Sequence, residues 1–221
     1  KYYIDKYGNN LKDFIKSVDN IISQKKWDRV YVSTLFTYEW KITIDTIEYA
    51  KTLVADKSNV YSGGILATLM AEEFEKTTGI KPIKGQLFDS MLIGYDDGVN
   101  IDTLTPDYSI LDNTEYIYPS NNAYFAYATR GCGMNCEFCS VKTLEPEYTS
   151  YISIKDQINE IKERYGEKKD LLLMDNNVLK SKDFKKIIDE IIELGFGRGA
   201  TYINPITGKK NNRYVDFNQG L

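Results

Sequence analysis

Histidine is absent from the 221 residues, which excludes Ser-His-Asp and Cys-His catalysis within this chain and removes the commonest zinc ligand. Cysteine is scarce. The three present, Cys132, Cys136 and Cys139, all fall within one short loop, so a disulfide framework is not expected. No apolar run approaches the roughly 18–20 residues needed to cross a bilayer. The opening KYYIDKYGNNLKDF is charged and lacks the apolar stretch of a secretory signal. The chain thus reads as cytoplasmic, with no membrane partner. Basic excess is missing as well: 28 Lys and Arg face 32 Asp and Glu, a formal net charge of −4. Without a basic footprint, general nucleic-acid binding is not expected, despite 18 Tyr. An initiator Met is also lacking, and the expectation is a piece of a longer protein.

What is present supports a packed core, since 42% of the residues are hydrophobic. Residues 9–25 carry Leu11, Phe14, Ile15, Val18, Ile21 and Ile22 at helical spacing. DRVYVSTLF reads as a buried strand, followed by a helix over 43–55. NVYSGG reads as a short strand closed by Gly63-Gly64, and ILATLMAEEFEKTTG as a helix ended by Gly79. Strand and helix in alternation imply a parallel sheet with crossover helices. Residues 80–122 are punctuated by Pro82, Gly85, Asp96-Asp97-Gly98, Pro106 and Pro119 and read as a connector. Beyond it, AYFAYATRG is a strand running into the cysteine loop and SIKDQINEIKERYG a helix capped by Ser153. LLLMDNN is a strand with a polar end, SKDFKKIIDEIIELGFG a helix capped by Ser181 and ended at Gly195, and RYVDFNQGL the start of another strand. That order opens a parallel β/α barrel, and about three βα units fit in these residues. The expected fold class is α/β, with domains over 1–121 and 122–221.

The loop ATRGCGMNCEFCSVKT has the spacing C-x3-C-x2-C. Three thiolates on one loop suit three corners of an iron–sulfur cube, which prefers soft ligands. No fourth Cys and no His exist to close the last corner, so one iron stays open to chelate a small molecule. Gly131 and Gly133 let the backbone wrap closely. A zinc ion wants a fourth thiolate or imidazole. A C-x2-C redox pair sits by custom beside a thioredoxin-like βαβ pattern and has no need of Cys132. Both stand as lesser readings, with three inert buried cysteines below them.

With Phe138 just before its last Cys, this loop resembles the radical SAM signature C-x3-C-x-aromatic-C, which in that family follows the first barrel strand. The resemblance implies a full or partial (β/α)6 barrel and a 4Fe-4S cluster held by Cys132, Cys136 and Cys139. It also implies S-adenosylmethionine (SAM) chelated by the open iron; an electron into the sulfonium then yields methionine and a 5′-deoxyadenosyl radical. The family's second motif contacts the SAM amino group from the end of the second strand. Its place here is Asp175-Asn176-Asn177, without the usual Gly-Gly-Glu, so Asp175 and Asn176 are the SAM-binding candidates and Phe138 a candidate partner of the adenine. VDFNQGL resembles a later strand segment of some members, with Asn218 and Gln219 as weak candidates. The likeness covers about residues 122–221.

The stretch from Trp27 to Asp112 resembles the Rossmann-like cobalamin-binding domain ahead of many radical SAM cores, through the Ser62-Gly63-Gly64 turn, ATLMAEEF and PDYSIL. Its Asp-x-His-x-x-Gly motif is absent, and the loop reads Thr37-Tyr38-Glu39-Trp40. A degenerate scaffold is therefore preferred over cobalamin binding, which some relatives achieve without a histidine. The implied partners are an unidentified substrate and a reductant such as flavodoxin or ferredoxin. Two rivals remain: an iron–sulfur electron-transfer or cluster-carrier protein without SAM chemistry, and a non-enzymatic metal-binding module.

Overall fold

A computed structural model describes residues 26–110, 112, 115, 117–118 and 120–217. The helix expected over 9–25 and the candidates Asn218 and Gln219 lie outside the described residues. The chain is mixed α/β and divides into two compact units between Asp102 and Thr103. Among the described residues, no helix is long and apolar enough to cross a membrane.

In the first unit, β1 (Val30–Thr34) and β2 (Val60–Gly64) run parallel, with Val30 opposite Val60 and Thr34 opposite Gly64. The connection between them contains α1 (Trp40–Leu53). A 3-10 turn over Thr37–Glu39 feeds directly into that helix, so it starts three residues before the expected Thr43. Alternate strand residues face opposite sides of the sheet. Val30, Val32 and Val60 accordingly pack with Ile47, Leu66, Ala67 and Phe74 in one core. Burying each large apolar side chain there contributes about 1.5–3 kcal/mol. The single helix expected after Gly64 is two, α2 (Ile65–Leu69) and α3 (Ala71–Thr78), because Met70 leaves helical geometry at φ −116 and ψ 34. Gly79 ends α3 as expected: it takes the left-handed φ of 68 and donates its N–H to the Glu75 carbonyl. Ile83 then forms a parallel bridge to Gly63, adding a third extended segment beside β2.

Among the described residues, the second unit holds three parallel strands in the order β3 (Ala123–Ala126), β4 (Asp170–Leu173) and β7 (Val215–Asp216). The expected strand start near Val215 therefore joins the same sheet. Between β3 and β4 lie the one-turn helix α4 (Val141–Leu144) and α5 (Ile154–Tyr165), and after β4 comes α6 (Phe184–Ile191). Ser153 caps α5 as its sequence suggested, its hydroxyl accepting the Asp156 N–H at 3.2 Å. Ile154, Ile158 and Ile161 recur at helical spacing on the buried face of α5. Together with Ile187 and Ile191 of α6 they cover Tyr124, Ala126, Leu171 and Leu173 on one sheet face.

The other face is covered differently. Residue Tyr108, read as part of a connector, packs on Phe125 with ring centroids 5.8 Å apart, and its hydroxyl oxygen accepts the Phe125 N–H at 2.8 Å. Burial pushes the Tyr108 hydroxyl up to about 12. The stretch from Thr103 onward thus belongs with the second unit.

Two local expectations differ from what forms. Ser181 lies two residues before the N-cap position of α6, held by Asp183; its hydroxyl accepts the Asp183 N–H and donates to the Ser150 carbonyl. Ahead of β7 the chain also makes an antiparallel hairpin, β5 (Thr201–Ile203) with β6 (Lys210–Asn212), which the sequence reading missed. Its turn is built by Asn204, whose side-chain oxygen accepts the N–H groups of Ile206 and Thr207, each at 2.9 Å.

Candidate metal centre

The cysteine loop begins at the C-terminal end of β3, the edge of a parallel sheet where ligands bind in α/β folds. Its base is closed by several independent bonds. Arg130 and Thr149 exchange a pair of backbone hydrogen bonds at 3.1 and 3.0 Å, and the Ile152 N–H reaches the Ala128 carbonyl at 2.7 Å. Glu145 returns after α4 to accept the Gly131 N–H at 2.7 Å and pairs with the Arg130 guanidinium at 3.2 Å. Arg130 also lies over the Tyr127 ring, 3.9 Å from its centroid. Gly131 is required here. Its φ is 69, and a Cβ would stand 2.4 Å from the Glu147 carbonyl oxygen.

Within the closed loop, Cys132, Cys136 and Cys139 are free thiols of intermediate exposure. The Cys139 N–H bonds to the Cys136 carbonyl at 3.2 Å, which tightens the second half of the motif. Phe138 is 93% exposed. Among the described residues, no group of three His, Cys, Asp or Glu side chains is drawn together round one metal ion. The donor set fits an iron–sulfur cluster: three soft thiols on one pinned loop, with an amide N–H directed at one of the sulfurs.

That amide comes from Asn177, beyond the end of β4, whose side-chain nitrogen lies 3.6 Å from Cys132 Sγ. Asn176 is half-buried beside it. Asp175 is 1% exposed, and its carboxylate is taken up by the base of the cysteine loop. It accepts the N–H groups of Ala128 and Thr129 and, at 2.6 Å, the Thr129 hydroxyl. Burial pushes its carboxyl above the ordinary value, while these three donors on Thr129 and Ala128 pull the other way. Tyr148 is shifted up as well, first by burial and then by the neighbouring Cys132, Asp175 and Asp183. The end of β4 and the cysteine loop are therefore one polar assembly, with Asp175 at its foot.

Of the sequence candidates, the structure brings Cys132 close to the Asp175–Asn177 segment. Sequence reasoning missed the two side chains that hold the loop, Thr129 and Glu145; neither lies in a motif, and their partners are distant in the chain. In the first unit, a cavity of about 310 Å³ lies beside Tyr31, Ser33, Tyr61, Gly63 and Ile93. The Thr37–Tyr38–Glu39 segment forms the 3-10 turn ahead of α1. No protein-family model matches this chain, and no curated protein matches it.

Proposed function

We propose that this chain is the SAM-cleaving part of a radical SAM enzyme, with a 4Fe-4S cluster on Cys132, Cys136 and Cys139. The observation that carries the reading is three free thiols on a loop pinned at the end of a parallel strand, in a chain with no fourth Cys and no His. When bound, the cluster supplies one electron to the sulfonium of SAM, whose C–S bond breaks to methionine and a 5′-deoxyadenosyl radical. Everything else is the protein's work of holding and orienting. Asp175, with its oxygens occupied by Ala128 and Thr129, fixes the loop against β4. Asn176, half-buried, is the candidate left open for the SAM amino group, with Asp175 behind it. Phe138 offers an open ring face to the adenine.

In this reading the second unit is the opening of a β/α barrel, and the first is a Rossmann-like scaffold resembling a cobalamin-binding domain, with no imidazole to ligate cobalt. The protein works in the cytoplasm, on an unidentified substrate, with an electron donor such as flavodoxin or ferredoxin. The test is anaerobic reconstitution with iron and sulfide, followed by reduction in the presence of SAM and assay for 5′-deoxyadenosine and methionine. A loaded and reduced protein that releases neither is an electron carrier instead. A protein that takes up no iron and sulfide is a non-enzymatic module.

A further inference from the structure

Asn177 has a side-chain amide whose two ends are each committed. Its oxygen accepts the Lys180 N–H at 3.2 Å, closing the 3-10 turn Val178–Lys180, and its nitrogen faces Cys132 Sγ at 3.6 Å. The reverse orientation would set oxygen against sulfur lone pairs and NH2 against an N–H donor, so the turn itself decides that a donor points at the thiol. The turn is also seated on the loop: a Cβ at Gly133 would stand 3.1 Å from Lys180 Cγ. Asn177 therefore reaches Cys132 from a second, separately anchored segment.

We propose that Asn177 is a positioning residue that sets the reduction potential of the bound cluster through Cys132. This rests on the reading that the three cysteines hold such a cluster. A hydrogen bond donated to a ligand sulfur withdraws electron density from it and favours the more negative, reduced state, which raises the potential. Removing the donor while keeping the turn closed must lower it.

The variants Asn177→Ser and Asn177→Asp both keep an oxygen that accepts the Lys180 N–H, and both lose the N–H directed at sulfur. Asp also sets a carboxylate near the thiolate. The whole chain is reconstituted anaerobically, and the midpoint is read by titration with dithionite under electron paramagnetic resonance. The urea midpoint of each cluster-free protein serves as a control that a merely structural role would move. The expected result is a midpoint falling from wild type to Ser to Asp, with urea midpoints unchanged. Midpoints equal to wild type in both variants overturn the proposal, as does loss of the cluster from both. If Asp alone fails to load, the Ser variant decides. A wild-type protein that itself takes up no iron and sulfide removes the underlying reading, an outcome distinct from an unshifted midpoint.

Discussion

In the first unit the chain leaves β2 through Gly63 and Gly64; in the second it leaves β3 through Thr129 and Arg130 into the cysteine loop. Both exits stand at the ends of parallel strands covered on one face by helices. Both need a glycine with positive φ, Gly64 at 97 and Gly131 at 69, where a Cβ would meet a carbonyl oxygen at 2.3 and 2.4 Å. At the first exit the neighbouring polar group is Thr34, whose hydroxyl donates to the Gly63 carbonyl and accepts the Ala67 N–H, each at 2.9 Å. It starts α2 and is then fully used. At the second exit a buried carboxylate holds the backbone, and that leaves three thiols free above it. Similar architecture thus serves two ends: one closes on itself, the other presents soft donors.

The contrast breaks most completely at the cysteines. Replacing any one of Cys132, Cys136 or Cys139 by Ser is expected to abolish iron and sulfide uptake and reduce 5′-deoxyadenosine to background, measured by metal analysis and chromatography. Gly64→Ala leaves both unchanged.

Next in size is the buried carboxylate. Asp175→Ala leaves the Ala128 and Thr129 N–H groups and a hydroxyl without an acceptor, costing about 3 kcal/mol, whereas Asp175→Asn keeps an acceptor and costs about 1 kcal/mol. Urea unfolding monitored by circular dichroism checks both. The same pair tests the charge. Because the folded-state carboxyl titrates above its unfolded value, its stabilising contribution is complete below the unfolded value near 3.8. It is lost as pH rises through the folded-state value. Wild type should therefore gain on Asp175→Asn as pH falls through that window, and the difference should be flat below it.

The two glycines sharpen the comparison. Both Trp residues of the chain, Trp27 and Trp40, lie in the first unit. Gly64→Ala should lower the unfolding free energy, read by Trp fluorescence in urea, by about 2 kcal/mol and spare iron uptake. Gly131→Ala should do the reverse. The smallest effect belongs to Thr34→Val, which keeps the shape and removes both hydrogen bonds, at about 1 kcal/mol by the same fluorescence measurement.

Much of this was legible in the residues. The isoleucines of α5 and their Ser153 cap, the Gly79 stop and the parallel strands follow from periodicity and local chemistry, which act over a few positions. The break at Met70 was not legible, because ILATLMAEEF has an unbroken helical pattern. Nor was the β5–β6 hairpin, although Asn204, Pro205 and Gly208 marked its turn. For Asp175 the sequence showed a polar end to an apolar strand and, through the resemblance, a contact to SAM; that its carboxylate holds the base of another loop was not legible. Its partners Ala128 and Thr129 lie 47 and 46 positions away.

The sequence alone determined the donor inventory: three thiols in one loop, no imidazole and no further cysteine, a matter of composition that no fold can alter. It also determined most helices and strands, since their signals repeat within a turn or a pleat. Only the tertiary structure decided what stands behind those donors. Strand pairing carried the end of β4 alongside β3, and that put Asp175 under the loop and Asn177 against Cys132. Such contacts depend on register between distant segments, which no local pattern encodes.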